Sequence, residues 1–140
     1  MIVGRFAPSP TGPLHLGSLV AAVGSYAMAR RGGGLWLLRM EDLDRPRVVQ
    51  GCADDILRTL EELGFQWDGP VVFQSRRIEA YQAALEKLQG DRSVYPCACS
   101  RAEIARVATA PHDGDGETVY PGLCRNGIAE GKTPRAFRVR

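Results

Sequence analysis

Ile2-Val-Gly-Arg-Phe-Ala-Pro-Ser-Pro-Thr-Gly-Pro-Leu-His-Leu-Gly-Ser18 is the stretch whose reading decides the fold. Ile2 to Ala7 reads as a short strand, and the prolines and glycine of Pro8–Pro13 break it. From Leu14 a helical period follows, with Leu16, Leu19, Val20, Val23 and Ala27 expected on the inward face. Arg30 and Arg31 suit the negative end of the helix dipole, and Gly32-Gly-Gly34 ends the helix. A rigid loop feeding a helix start leaves first-turn N–H groups free, and such a terminus attracts phosphate. Gly17 would let a nucleotide lie close to the backbone, and His15 presents an imidazole donor beside it. On spacing alone, a proline-rich turn with a surface histidine explains the string equally well.

Working outward, Leu35-Trp-Leu-Leu38 is a continuous apolar run, expected to be a strand buried on both faces as in a parallel sheet. Glu41-Asp-Leu-Asp44 follows where that strand should end. A second helix is expected from about Cys52 to Leu63, with Ile56, Leu57, Leu60 and Leu63 inward and Gly64 past its end. Val71 to Phe73 is a candidate third strand, and Ile78, Tyr81, Leu85 and Leu88 mark a third helix. Alternating strand and helix argues for an α/β fold, a doubly wound (Rossmann-like) parallel sheet of which this is the first half. Right-handed crossovers would bring every strand C-terminus to one edge, where ligands bind. Pro8–Ser18 and Glu41–Asp44 should meet there. Residues 108–118 read as an exposed loop. Ala136-Phe-Arg-Val-Arg140 alternates like a strand, so the chain is expected to be a truncated one.

Composition bounds the class. Hydrophobic residues at 44% and charged residues at 24% of 140 describe a globular protein, with no run of membrane-spanning length. The N-terminus carries no secretory pattern, which makes the cytoplasm the expected compartment. Net charge is +2, too small to announce nucleic acid. Residues 1–91 carry 10 basic and 11 acidic side chains, whereas residues 92–140 carry 8 and 5. That basic distal segment could face phosphates or be an ordinary solvated surface. A cytosolic setting argues against disulfides among Cys52, Cys97, Cys99 and Cys124. Cys52 stands alone and reads as a buried structural thiol. The other three suggest zinc, whose structural sites take four ligands. Spacing alone makes His112 the natural fourth.

Arg5-Phe-Ala-Pro-Ser-Pro-Thr-Gly-Pro-Leu-His-Leu-Gly-Ser18 resembles the first signature of the class I glutamyl-tRNA synthetases. The family's His-Ile-Gly-His motif stands here as His15-Leu-Gly-Ser18, departing at its second and fourth places. Leu38-Arg-Met-Glu-Asp-Leu-Asp44 resembles the family's Arg-Ile-Glu-Asp-Thr-Asp string, and Gly64-Phe-Gln-Trp-Asp-Gly69 with Gln74-Ser75 matches a third block. Gly17-Ser-Leu-Val-Ala-Ala-Val-Gly-Ser-Tyr26 and Asp44-Arg-Pro-Arg47 favour a shortened branch of that family, which attaches glutamate to the queuosine base of tRNA(Asp).

The resemblance implies an ATP-dependent ligase that binds L-glutamate, ATP with Mg²⁺, and queuosine-bearing tRNA(Asp), as a monomer away from membranes. Arg5 would pair the substrate's side-chain carboxylate, Phe6, Ala7, Pro8 and Ser9 would line its pocket, and Glu41 would receive its ammonium. Thr11, His15, Gly17 and Ser18 would hold ATP, with His15 and Gly17 at the catalytic centre. His15 would stabilise charge rather than act as a base. Asp42 and Asp44 could hold Mg²⁺, though a scaffold role is preferred. In the family string Cys-x-Cys…Tyr-x₃-Cys the fourth zinc ligand is Tyr120, beside Cys97, Cys99 and Cys124. Residues 1–95 would be the N-terminal half of the catalytic domain, and 96–140 a zinc segment opening an inserted acceptor-type subdomain. Two other functions stay open: the N-terminal part of an ordinary glutamyl-tRNA synthetase, and a non-catalytic zinc-bearing RNA-binding module.

Overall fold

In the computed structural model, which describes residues 1–107 and 120–140, β1 (Val3–Phe6) and β2 (Leu35–Met40) lie parallel. Gly4 stands opposite Trp36, and Phe6 opposite Leu38. A short β3 (Val72–Phe73) extends the parallel sheet on the other side of β2, giving the order β1-β2-β3. Helix α1 (Leu16–Arg31) connects the first two strands, and α2 (Cys52–Glu62) lies between the second and third. Then come α3 (Ile78–Gly90), β4 (Val94–Cys97), α4 (Arg101–Val107) and β5 (Ala136–Val139). β4 and β5 pair antiparallel. By contact the chain divides into two units, Met1–Glu79 and Ala80–Arg140. The loop expected at 108–118, and His112 with it, lies outside the described residues. Among the described residues no helix is long and apolar enough to cross a membrane.

The core of the first unit sits on one face of the sheet. Phe6, Trp36, Leu38 and Met40 pack there against Ala22 and Ala29 of α1 and Cys52, Ile56 and Leu60 of α2. Trp36 is fully buried, its ring stacked with Phe65 and edge-on to Tyr26, and its indole N–H donates to Ser25 Oγ at 3.0 Å. Truncating so large a buried ring costs about 3–5 kcal/mol.

The expectation that β2 is buried on both faces is corrected. Trp36, Leu38 and Met40 are buried, but the alternate Leu35 and Leu37 are 36% and 37% exposed. In a sheet ordered 1-2-3, both crossovers step in the same direction. Right-handed connections then put both helices on the same side. The apolar run therefore behaves as a period-two strand with only one face covered among the described residues.

The inward face of α1 is also corrected. Leu16, Val20 and Val23 are 78%, 64% and 55% exposed, while Ala22 and Ala29 are fully buried. The reason is close approach. A Cβ on Gly4 would lie 2.9 Å from both Ala29 Cβ and the Ser25 carbonyl oxygen. The helix rests on β1 through its smallest residues, and a bulkier stripe cannot come as near. α2 matches its expected face at Ile56 and Leu60, but Leu63 is exposed. α3 forms where expected, with Ile78, Tyr81 and Leu88 exposed.

Asp68 completes the sheet edge. Its backbone N–H donates to the Trp36 carbonyl at 2.9 Å, and its carboxylate accepts the Trp36 N–H at 2.7 Å. Arg30 closes the same joint, 2.9 Å from Asp68 and donating to the carbonyls of Gly34 and Gln66. The Gly64–Gly69 block therefore builds the fold rather than the site.

Candidate active site and thiol cluster

Pro8 follows closely on β1, and the loop it opens runs directly into α1. His15 is the helix N-cap. Its Nδ1 accepts the Ser18 N–H at 3.2 Å, and its Nε2 lies 3.2 Å from Ser18 Oγ. With Nδ1 accepting, the proton sits on Nε2, which donates to the Ser18 hydroxyl. The exposed ring is thus held over the first turn of the helix. A Cβ on Gly17 would lie 3.1 Å from that ring, so the missing side chain leaves room for the imidazole. The sequence suggested only closeness to a nucleotide.

An open cavity of about 560 Å³ lies against this helix start. The expected residues Phe6, Ala7, Pro8, Ser9, Thr11, His15, Gly17 and Ser18 all line it, with Gly12, Pro13, Leu14 and Ala21. The free N–H groups of the helix and the positive end of its dipole suit an anion there.

Arg5 and Glu41 lie beside the cavity rather than on its wall. Arg5 is exposed on β1 and makes no ion pair among the described residues. Glu41 just follows β2, and its N–H donates to the Pro8 carbonyl at 2.9 Å, which fixes it against the loop. Its carboxylate pairs with Arg39. An ammonium arriving at Glu41 would therefore share it with a guanidinium already in place. Asp42 accepts the Ser75 N–H at 2.8 Å on Oδ1 and the Ser75 hydroxyl on Oδ2. Burial by itself would raise the Asp42 carboxyl, but the Ser75 hydrogen bonds outweigh it and hold the carboxyl below its ordinary value. Both oxygens are engaged, which fits the scaffold role better than Mg²⁺. Asp44 lies 3.7 Å from Arg47 in a single-turn ion pair.

Sequence reasoning missed how the loop is braced. Its alternate carbonyls at Pro8, Pro10 and Gly12 accept from the Glu41 N–H, the Val49 N–H and the Cys52 thiol, at 2.9, 2.9 and 3.0 Å. Cys52 is buried as expected, and its thiol holds the loop. No local pattern announces this, because the donors arrive from the segment after β2.

In the second unit, the sulfurs of Cys97, Cys99 and Cys124 lie within 4.8 Å of one another. The Tyr120 hydroxyl is 3.4 Å from Cys97 Sγ and 3.7 Å from Cys99 Sγ, and accepts the Cys124 N–H at 2.9 Å. Cys99 and Cys124 sulfurs are 3.5 Å apart. Zinc–sulfur bonds of about 2.3 Å set the edges of a tetrahedral site at about 3.8 Å. The three sulfurs are therefore near enough to one another to suit a zinc ion, with the phenolic oxygen beside them. Burial alone would raise the Cys97 thiol, but hydrogen bonds with Tyr120 and Arg138 bring it down to about 6. Burial first, then the Cys97 contact, push the Tyr120 phenol up. A bound divalent cation would oppose that shift. Sequence reasoning also missed Arg138. Its Nε donates to Cys97 Sγ at 3.2 Å, and its guanidinium lies 3.7 Å over the Tyr120 ring.

The comparisons agree on one lineage. Residues 1–133 match the family described as tRNA synthetases class I (E and Q), catalytic domain. A glutamyl-Q tRNA(Asp) synthetase of Geobacter sulfurreducens is 73% identical over 139 residues, 99% of this chain and 44% of that protein. One from Dechloromonas aromatica is 62% identical over 138 residues, 98% of this chain and 45% of that protein. The crystal structure of a glutamate-tRNA synthetase from Elizabethkingia anophelis superposes with a TM-score of 0.67 at 35% identity, covering 76% of this chain and 23% of that one. The chain spans less than half the length of the curated relatives it matches.

Proposed function

Because the chain belongs to the class I tRNA synthetase family of the glutamate and glutamine type, we propose that it is the N-terminal part of an ATP-dependent ligase that activates L-glutamate and transfers it to the queuosine base of tRNA(Asp). The cavity at the start of α1 carries this reading, since it gathers the imidazole, helix N–H groups and small residues that adenylate formation requires. The identity to relatives named as glutamyl-Q tRNA(Asp) synthetases supports the acceptor. In the first step the glutamate α-carboxylate attacks the α-phosphorus of ATP and pyrophosphate leaves. In the second, a hydroxyl of the modified base attacks the activated carbonyl and AMP leaves. The protein contributes position and charge stabilisation rather than a covalent nucleophile. Arg5 pairs the side-chain carboxylate, Phe6 to Ser9 shape the glutamate pocket, and Glu41 takes the ammonium. Thr11, His15, Gly17 and Ser18 hold the nucleotide, which arrives with Mg²⁺. The enzyme works as a cytoplasmic monomer.

Zinc would be held by Cys97, Cys99, Tyr120 and Cys124, and would supply structural stapling to a segment with few apolar residues. Residues 1–95 form the first half of the catalytic domain and 96–140 the zinc segment that opens an insertion. Elemental analysis of protein purified without added metal or chelator should give one zinc per chain. Tyr120→Phe should weaken binding and His112→Ala should not; the opposite ranking would make His112 the ligand.

The acceptor is tested by glutamylation of purified tRNAs with the complete polypeptide. Label should appear on queuosine-bearing tRNA(Asp) and not on tRNA(Glu). Label on the 3′ end of tRNA(Glu) alone would make this an ordinary glutamyl-tRNA synthetase, and no glutamate-dependent pyrophosphate exchange at all would remove the ligase reading.

A further inference from the structure

Arg138 touches two of the four atoms or rings proposed to surround zinc, yet it offers no ligand itself. It stands opposite Tyr95 on the β4–β5 ribbon, while Cys97 stands opposite Ala136. Tyr95, Cys97 and Arg138 therefore share one face of that ribbon. Arg101 lines the same cavity as Tyr120 and Arg138 but makes no contact with a cluster sulfur among the described residues, and two other basic groups of this unit are differently engaged. Lys132 is paired with Glu103, and Arg140 lies over the Tyr95 ring and donates to the Arg125 carbonyl. Among the described residues, Arg138 is the cation in hydrogen-bond contact with a cluster sulfur.

Charge counting makes that contact consequential. Three thiolates around a divalent cation leave one excess negative charge, and a phenolate would leave two. A half-buried set of donors disfavours such an excess unless a cation sits against it. A guanidinium suits the task, because it remains charged, donates to sulfur from a fixed fork and lies flat on an aromatic ring. Cys97 Sγ can accept the Nε–H with one lone pair while another faces a metal, so the contact is compatible with a filled site.

Building on the zinc reading above, we propose that Arg138 is a positioning residue of the thiol cluster. Its guanidinium fixes the Cys97 sulfur and the Tyr120 ring and offsets the negative charge of the filled site, so zinc affinity depends on β5. Outer contacts of this kind typically alter metal affinity about ten- to a hundredfold.

The test is zinc affinity of the complete polypeptide by chelator competition, with the cobalt(II) absorption spectrum as a second readout. Arg138→Met should bind zinc about ten- to a hundredfold more weakly and change the cobalt bands. Arg138→Lys keeps the charge without the fork and should fall between. Arg140→Met, just past the end of β5 and in contact with Tyr95 and Arg125 rather than with a sulfur, should bind like wild type. Equal zinc affinity and identical cobalt spectra for wild type and Arg138→Met would overturn the proposal, as would an equal loss in Arg140→Met. If Arg138→Met does not fold, wild-type affinity in Arg138→Lys overturns it instead. Absence of zinc binding by the wild type would sink the zinc reading itself, a distinguishable result.

Discussion

Arg5 and Gly17 carry the sharpest expectations at the residue scale. Arg5 is exposed and forms no ion pair among the described residues, so its guanidinium is available to a carboxylate. A charged hydrogen bond in a desolvated site contributes about 1.5–3 kcal/mol. Arg5→Ala should therefore lower glutamate-dependent ATP–pyrophosphate exchange of the complete polypeptide by about ten- to a hundredfold. Exchange at the wild-type rate would take Arg5 out of the site. Gly17 acts through its neighbour, because an added methyl would meet the His15 ring at 3.1 Å. Gly17→Ala should displace the imidazole and raise the KM for ATP while leaving the melting temperature nearly unchanged. A large fall in melting temperature with unaltered KM would assign Gly17 to the fold alone.

Among the elements, α4 shows how one short helix is held. Ser100 and Glu103 form a reciprocal capping box. The Ser100 N–H donates to Glu103 at 2.7 Å, and the Glu103 N–H donates to Ser100 Oγ at 3.2 Å. Lys132 reaches the same carboxylate at 2.6 Å. The Lys132 hydrogen bond, then those of Ser100, hold the Glu103 carboxyl at about 2 against an ordinary 4.5. A carboxyl lowered on folding stabilises fully above its unfolded value and loses that contribution as pH falls toward the folded one. Glu103→Gln should therefore lower the melting temperature at pH 7 and flatten its decline between about pH 4.5 and 2. Parallel acid limbs for the two proteins would show that the carboxylate is not coupled to folding. The Ser-x-x-Glu pattern at 100–103 is a local signature of this cap, which sequence reasoning missed.

At the scale of the whole chain, the proposed nucleotide site is lined on one side by these residues. β1, β2 and β3 supply one flank, and the cavity at the α1 N-terminus is open. A doubly wound site lies between two halves of a sheet, and β1-β2-β3 is the parallel sheet of the described residues. Residues 1–140 alone should release no steady pyrophosphate from glutamate and ATP. Robust turnover that disappears in His15→Ala would show the other half to be dispensable. The strings at 5–18, 38–44 and 64–69 indicated the family by resemblance, and the Pro/Gly breaks and helix starts indicated the parallel α/β order, because these are local constraints. They also marked eight of the residues that line the cavity, whereas Arg5 and Glu41 are not among its lining. Which face of α1 turns inward was not legible, since an apolar stripe and a small-residue stripe run along the same helix. Only the approach of Gly4 to Ala29 and Ser25 selects between them. The bracing of Pro8, Pro10 and Gly12 and the contact of Arg138 with Cys97 were likewise decided by tertiary structure. Each joins groups that side-chain type permits but only the path of the chain brings within bonding distance.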